Sequence, residues 1–218
     1  MIVLAHRGLW RQPSESNTLS ALSAALSEGL GIETDVRDRL GELVISHDPP
    51  GNDAPPLDDL LDLYASVPQA GTLALNIKAD GLQGALKTAL SRHGIDPSRY
   101  FVFDMAIPDA IGYLRHQMPF FTRKSEFEQN PAFTEHASGI WLDCFSEDWI
   151  NEQEICRHCE AGRKIALVSP ELHHRNWVPV WQIWRKAYHK ALQLGHGERI
   201  MLCTDHPLEA RLFFDEEN

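Results

Sequence analysis

A chain of 218 residues that is 43% hydrophobic has material for one large core, and no Pro/Gly/Ser-rich linker divides it, so a single domain over residues 1–218 is expected. A formal charge of −11, from 31 acidic and 20 basic residues with no basic cluster along a helix or tail, excludes a nucleic-acid backbone as partner. The first apolar run is too short for a secretory leader, no stretch could span a bilayer, and Cys144, Cys156, Cys159 and Cys203 are few enough to be reduced thiols; a soluble cytoplasmic protein is expected.

Short apolar runs alternate with helical patterns along the chain. The first run is Ile2–Ala5, followed by Leu19–Leu30, where Leu19, Leu22, Leu26 and Leu30 share one helix face. The second, Gly31–Val36, continues into a hairpin that turns at Gly41 and returns along Leu43–Ser46. A short loop rich in Pro, Asp, Asn and Gly follows over 48–56, then a helix from Leu57 to Tyr64. The remaining runs are Thr72–Ile77, Tyr100–Phe103, Pro119–Thr122, Ile140–Leu142, Lys164–Val168 and Ile200–Cys203. Helical patterns interleave with them at Gly81–Leu90 and Trp177–Leu192. Eight apolar strands buried on both faces and alternating with helices predict an α/β fold with a parallel sheet, closed as a (β/α)8 TIM barrel carrying a small β-hairpin and a short cap loop after strand two. An open doubly wound sheet would need a Gly-rich phosphate turn after the first strand, and none is present. Cys156 and Cys159 have CxxC spacing but no second ligand pair, and read as an ordinary helix face.

Polar residues recur where these strands end, at the rim on which a barrel carries its active site: His6 and Arg7, Glu33 and Asp35, Asn76 and Lys78, Asp104, Arg123, Asp143, Ser169 and Glu171, Thr204 and Asp205. Glu33 and Asp35, one residue apart, project from the same side of a strand. Two like charges held close need compensation: either a hard divalent cation, Mg2+ or Ca2+, or ion pairs to Arg7 and Lys78. Asn76 and Lys78 repeat that spacing on the next strand, offering an amide oxygen and an ammonium. His6 and His47 are candidates for moving protons near neutral pH, and His93, His116, His158, His173, His174, His189 and His196 read as surface residues. The negative net charge leaves a phosphorylated substrate open, because a bound cation and aimed basic groups reverse the field locally.

His6-Arg7-Gly8, Asn17-Thr18, Glu33-Thr34-Asp35, His47-Asp48, Asn76-Ile77-Lys78 and Thr204-Asp205-His206-Pro207, in this order, resemble the signature of the glycerophosphodiester phosphodiesterases over nearly the whole chain. The resemblance implies a TIM barrel, His6 and His47 as the acid/base pair, Glu33 and Asp35 on a divalent metal with Asn76 as its third ligand, and Arg7 and Lys78 on the phosphate. Arg123 and Glu171 are further candidate substrate contacts. The expected partner is a small-molecule phosphodiester, hydrolysed to an alcohol and a phosphomonoester in lipid metabolism. Three departures stand out: Asn76 replaces a family Glu, Glu15 is out of register with the Pro-Glu-Asn-Thr motif, and the loop after His47-Asp48 is short where the family carries a capping insertion. Sphingomyelinase D-like enzymes, with the same paired histidines and Glu-x-Asp, are one alternative; a weakened barrel that only binds a phosphorylated metabolite is another.

Overall fold

The computed structural model describes residues 1–215. The architecture is α/β, with eight parallel strands and one antiparallel hairpin strand alternating with seven helices among the described residues, the (β/α)8 barrel class. The chain divides into two compact units, Leu4–Phe120 and a second made of Met1–Val3 with the chain from Phe121 onward.

In the first unit the elements are β1 (Ile2–His6), α1 (Leu19–Ser27), β2 (Gly31–Arg39), β3 (Glu42–Ile45), α2 (Leu57–Ser66), β4 (Leu73–Ile77), α3 (Gln83–Arg92), β5 (Tyr100–Phe103) and α4 (Ile107–Arg115). The parallel order is β5-β4-β2-β1, and β3 folds back antiparallel on β2 through a turn at Leu40 and Gly41, both at positive φ. Every residue of β4 and the first six of β2 are buried, as a parallel sheet covered on both faces requires. Helix α1 starts where the Thr18 hydroxyl accepts the Ala21 N–H at 3.2 Å, and it buries Ala21, Leu22, Ala25 and Leu26. Helix α2 buries Leu57, Leu60, Leu61 and Tyr64 at the same helical spacing.

The second unit holds β6 (Phe121–Lys124), β7 (Gly139–Leu142), α5 (Glu152–Glu160), β8 (Lys164–Val168), α6 (Val178–Gln193), β9 (Ile200–Thr204) and α7 (Pro207–Asp215), with parallel order β9-β8-β7-β6. Trp181 and Trp184 of α6 are fully buried, and their indole N–H groups donate to Ser169 Oγ at 2.8 Å and the Ile150 carbonyl at 2.9 Å. The four cysteines are free and buried, and Cys156 and Cys159 lie on the inner face of α5, where burial pushes the Cys159 thiol up to about 11. Among the described residues, no helix is long and apolar enough to cross a membrane.

One strand differs from its expected position. The run expected at Pro119–Thr122 is helical-unit connector up to Phe120: the Pro119 carbonyl accepts the Val102 N–H at 3.0 Å and Phe120 makes a single parallel bridge to Val102. Regular pairing of β6 starts two residues later, because proline has no N–H to give a ladder.

Candidate active site

Strand register assembles the site in the first unit. His6, the last residue of β1, lies opposite Glu33 on β2, and Asp35 lies opposite Asn76 on β4. Glu33, Asp35 and Asn76 are all buried, a rare state for two carboxylates and an amide. Asn76 Nδ2 donates to Glu33 Oε1 at 3.2 Å, and His6 Nε2 lies 3.8 Å from Glu33 Oε2. Arg7 Nε is 2.9 Å from Asp35 Oδ2, Lys78 Nζ is 3.5 Å from Asp35 Oδ1, and Lys78 also reaches Asp104 at 3.9 Å. The expected ion pairs of Arg7 and Lys78 with the strand-two acid thus form.

Those pairs do not satisfy every oxygen. Glu33 Oε2, Asp35 Oδ1 and Asn76 Oδ1 are buried and accept no hydrogen bond. Burial, reinforced by the neighbouring Asp35 charge, pushes the Glu33 carboxyl up to about 7, against the opposing pull of His6, Arg7 and Lys78. Three buried oxygens on adjacent strands that accept no hydrogen bond are hard donors of the kind Mg2+ or Ca2+ takes, so the residues present fit such an ion. Among the described residues no three of His, Cys, Asp or Glu form a metal-holding group; here the third oxygen is an amide.

The chain between β1 and α1 locks these side chains in place. Arg7 (φ 56°) and Asn17 (φ 61°) both adopt the left-handed conformation and are joined by an Asn17 N–H to Arg7 carbonyl bond of 2.9 Å. Asn17 Nδ2 donates to Asp35 Oδ2 at 2.8 Å, and its Oδ1 accepts the Thr34 hydroxyl at 2.8 Å. Gly8 is required next to Arg7: its φ is 94°, and a Cβ there would come within 2.6 Å of the Ala21 backbone. Asn17 is thus tied to both Asp35 and Thr34, contacts that its motif flags without revealing. Asp104, also at positive φ (69°), ends β5 beside Lys78.

His47 sits on the loop after β3 and is half exposed. Its carbonyl accepts Arg37 Nε at 2.9 Å, and Ser46 N–H donates to the Asp35 carbonyl at 3.1 Å, so the loop hangs from β2. The ring nitrogen Nδ1 lies 2.9 Å from Asp48 Oδ1; with a carboxylate there Nδ1 carries the hydrogen and Nε2 is left basic.

Arg123 and Glu171 lie in the second unit with partners of their own. Arg123 Nε is 3.7 Å from the buried Asp143, and its guanidinium stacks 5.2 Å above the Phe145 ring. Glu171 accepts from the hydroxyls of Ser169 and Thr204 and from the Asp205 N–H at 3.1 Å, which ties the ends of β8 and β9 together. Three histidines expected at the surface are otherwise engaged. His173 bonds Asp143 at 2.6 Å and packs on Phe145 at 4.7 Å; His158 is buried against Glu154; His93 lies between Asp58 and Asp62. A helical or loop pattern places a residue on a face but does not reveal the acid, distant in sequence, that pulls it inward.

No family model matches the sequence, and none of the curated proteins matches it. The structure is similar to a glycerophosphodiester phosphodiesterase from Agrobacterium tumefaciens (TM-score 0.64, 17% identity, 96% of this chain and 98% of that one covered). It is also similar to a glycerophosphoryl diester phosphodiesterase from Parabacteroides distasonis (TM-score 0.63, 14% identity, 97% and 85% covered). At these identities the likeness establishes a shared fold along essentially the whole chain.

Proposed function

We propose that the chain is a phosphoric diester hydrolase that uses a divalent cation, Mg2+ or Ca2+, to cleave a glycerophosphodiester into an alcohol and a phosphomonoester such as glycerol phosphate. One observation carries this: Glu33, Asp35 and Asn76 hold buried, unsatisfied oxygens on adjacent strands beside an imidazole and two cationic side chains. The fold shared with solved phosphodiesterases supports the substrate class. When bound, the ion neutralises the phosphate and stabilises charge growing on its oxygens. Arg7 and Lys78 grip the non-bridging oxygens. Of His6 and His47, one takes the proton from the attacking hydroxyl and the other delivers a proton to the leaving alkoxide; the pair ends the step with its protons exchanged, and exchange with solvent returns each to its starting state. Turnover of lipid-derived headgroup diesters in the cytoplasm is the expected setting.

Asn76 supports one other reading, a barrel that binds a phosphorylated metabolite without turning it over, because an amide where a third carboxylate could stand weakens the hold on a cation. One experiment separates them. Purified protein is offered glycerophosphodiesters and an aryl phosphodiester with Mg2+, Ca2+ or Mn2+, then chelator. Metal-dependent hydrolysis abolished in His6→Ala and in His47→Ala is the expected result; tight phosphate binding with no hydrolysis under any metal overturns it.

A further inference from the structure

Helix α6 concentrates positive charge in an acidic chain. Its 16 residues include Arg185, Lys186 and Lys190 and no Asp or Glu, in a chain whose acidic residues outnumber its basic ones by 31 to 20. Lys186 and Lys190 are one helical turn apart, a spacing at which like charges repel. Lys190 alone of the two lysines has a carboxylate, Glu152 at 3.0 Å; Lys186 makes no ion pair with any described residue.

These side chains line a groove of about 570 Å3 between α6 and α7, with Phe213 as its aromatic wall and, among the described residues, no acid in its lining. The Arg185 guanidinium lies 5.1 Å above the Phe213 ring, which fixes the direction of its planar fork. His189 also lines the groove, and its Nε2 is buried with no hydrogen-bond partner. A volume of this order suits a small molecule, not a protein surface. The excess of negative charge elsewhere on the chain repels an extended anionic surface, but at physiological salt it is screened beyond roughly 8 Å and leaves the local cationic field intact.

We propose that the α6–α7 groove is a binding site for a small polyanion, a phosphorylated metabolite carrying two or more negative charges, gripped by Arg185, Lys186 and Lys190 with His189 supplying a further donor. The site stands apart from the hydrolytic assignment and does not depend on it.

Titrating inorganic tripolyphosphate into the full-length protein by calorimetry tests the site. Saturable binding that weakens as salt is raised is expected. Lys186→Glu, on the exposed side of α6, weakens it by about tenfold or more through charge reversal, and Lys190→Gln weakens it less; circular dichroism confirms that both variants keep the fold. Lys87→Glu, the same charge reversal on α3, binds as the parent does. Absence of saturable binding, binding unchanged by Lys186→Glu, binding weakened equally by Lys87→Glu, or capture by anionic vesicles in place of tripolyphosphate each overturns the proposal.

Discussion

Asn17 holds Asp35: its amide donates to Oδ2 at 2.8 Å while its backbone sits at φ 61°. Two demands therefore meet at one residue, a left-handed backbone and a donor for a buried carboxylate. Asparagine meets both, since it tolerates that conformation better than other non-glycine residues. Replacement by Gly keeps the backbone and removes the donor; replacement by Ala loses both. Asn17→Gly is expected to cost about 1–2 kcal/mol of stability and Asn17→Ala about 1–3 kcal/mol more. Urea unfolding of the two variants measures the difference, and hydrolysis falls in both because Asp35 loses its orientation.

The strand-borne half of the site was legible because alternation on a strand is local: Glu33 and Asp35 must face one side whatever surrounds them, and Asn76 with Lys78 repeat the rule. The helix at Trp177–Leu192 was legible for the same reason at helical period. What escaped depends on distant segments meeting. Asn17 acts across 18 residues on Asp35, and His173 across 30 on Asp143; neither contact leaves a periodic trace. Glu171 was visible as a strand-end acid, but its three donors were not, since two come from the end of β9 and the residue after it. The two-residue displacement of β6 follows from Pro119, whose missing N–H is a backbone property that apolar pattern does not weigh.

Asn76 opposes Asp35 in the β2–β4 register and leaves Oδ1 without a partner. Asn76→Asp supplies a third carboxylate of the same size. Without cation it adds a like charge beside Glu33 and Asp35 and removes the amide hydrogen bond to Glu33, so melting in chelator should fall. With Mg2+ or Ca2+ the added charge should tighten binding by about tenfold or more. The gap between melting temperatures with and without the ion is the measurement. An unchanged gap would mean that position 76 does not touch the ion.

Glu154 sits at the centre of a second-unit cluster, 2.6 Å from Lys124, 2.6 Å from Arg157 and 3.0 Å from His158. Burial raises its pKa, but the hydrogen bonds from those three residues outweigh it and hold the carboxyl at about 2. A folded-state pKa below the ordinary 4.5 means that this stabilisation is fully present above pH 4.5 and is lost as pH falls toward 2. Glu154→Gln leaves Lys124 and the buried His158 without their anion and should cost about 3 kcal/mol at neutral pH. The difference between variant and parent should shrink below pH 4, which denaturant titrations at several pH values would follow.

Glu33 runs the opposite way. Its carboxyl is pushed up to about 7 by burial and by the Asp35 charge, so the metal-free fold prefers it protonated. A raised folded-state pKa contributes stability that is complete below the ordinary value of 4.5 and is lost as pH climbs through about 7. The metal-free chain should therefore lose stability between these limits by an amount on the order of 3 kcal/mol at most, and Glu33→Gln, neutral at every pH, should not show that slope. A divalent cation favours the ionised carboxylate and should flatten or invert the trend in the parent alone. Unfolding free energies of parent and Glu33→Gln from pH 4 to pH 8, in chelator and in excess Mg2+, separate these contributions; parallel curves in chelator would place the buried charge elsewhere than on Glu33.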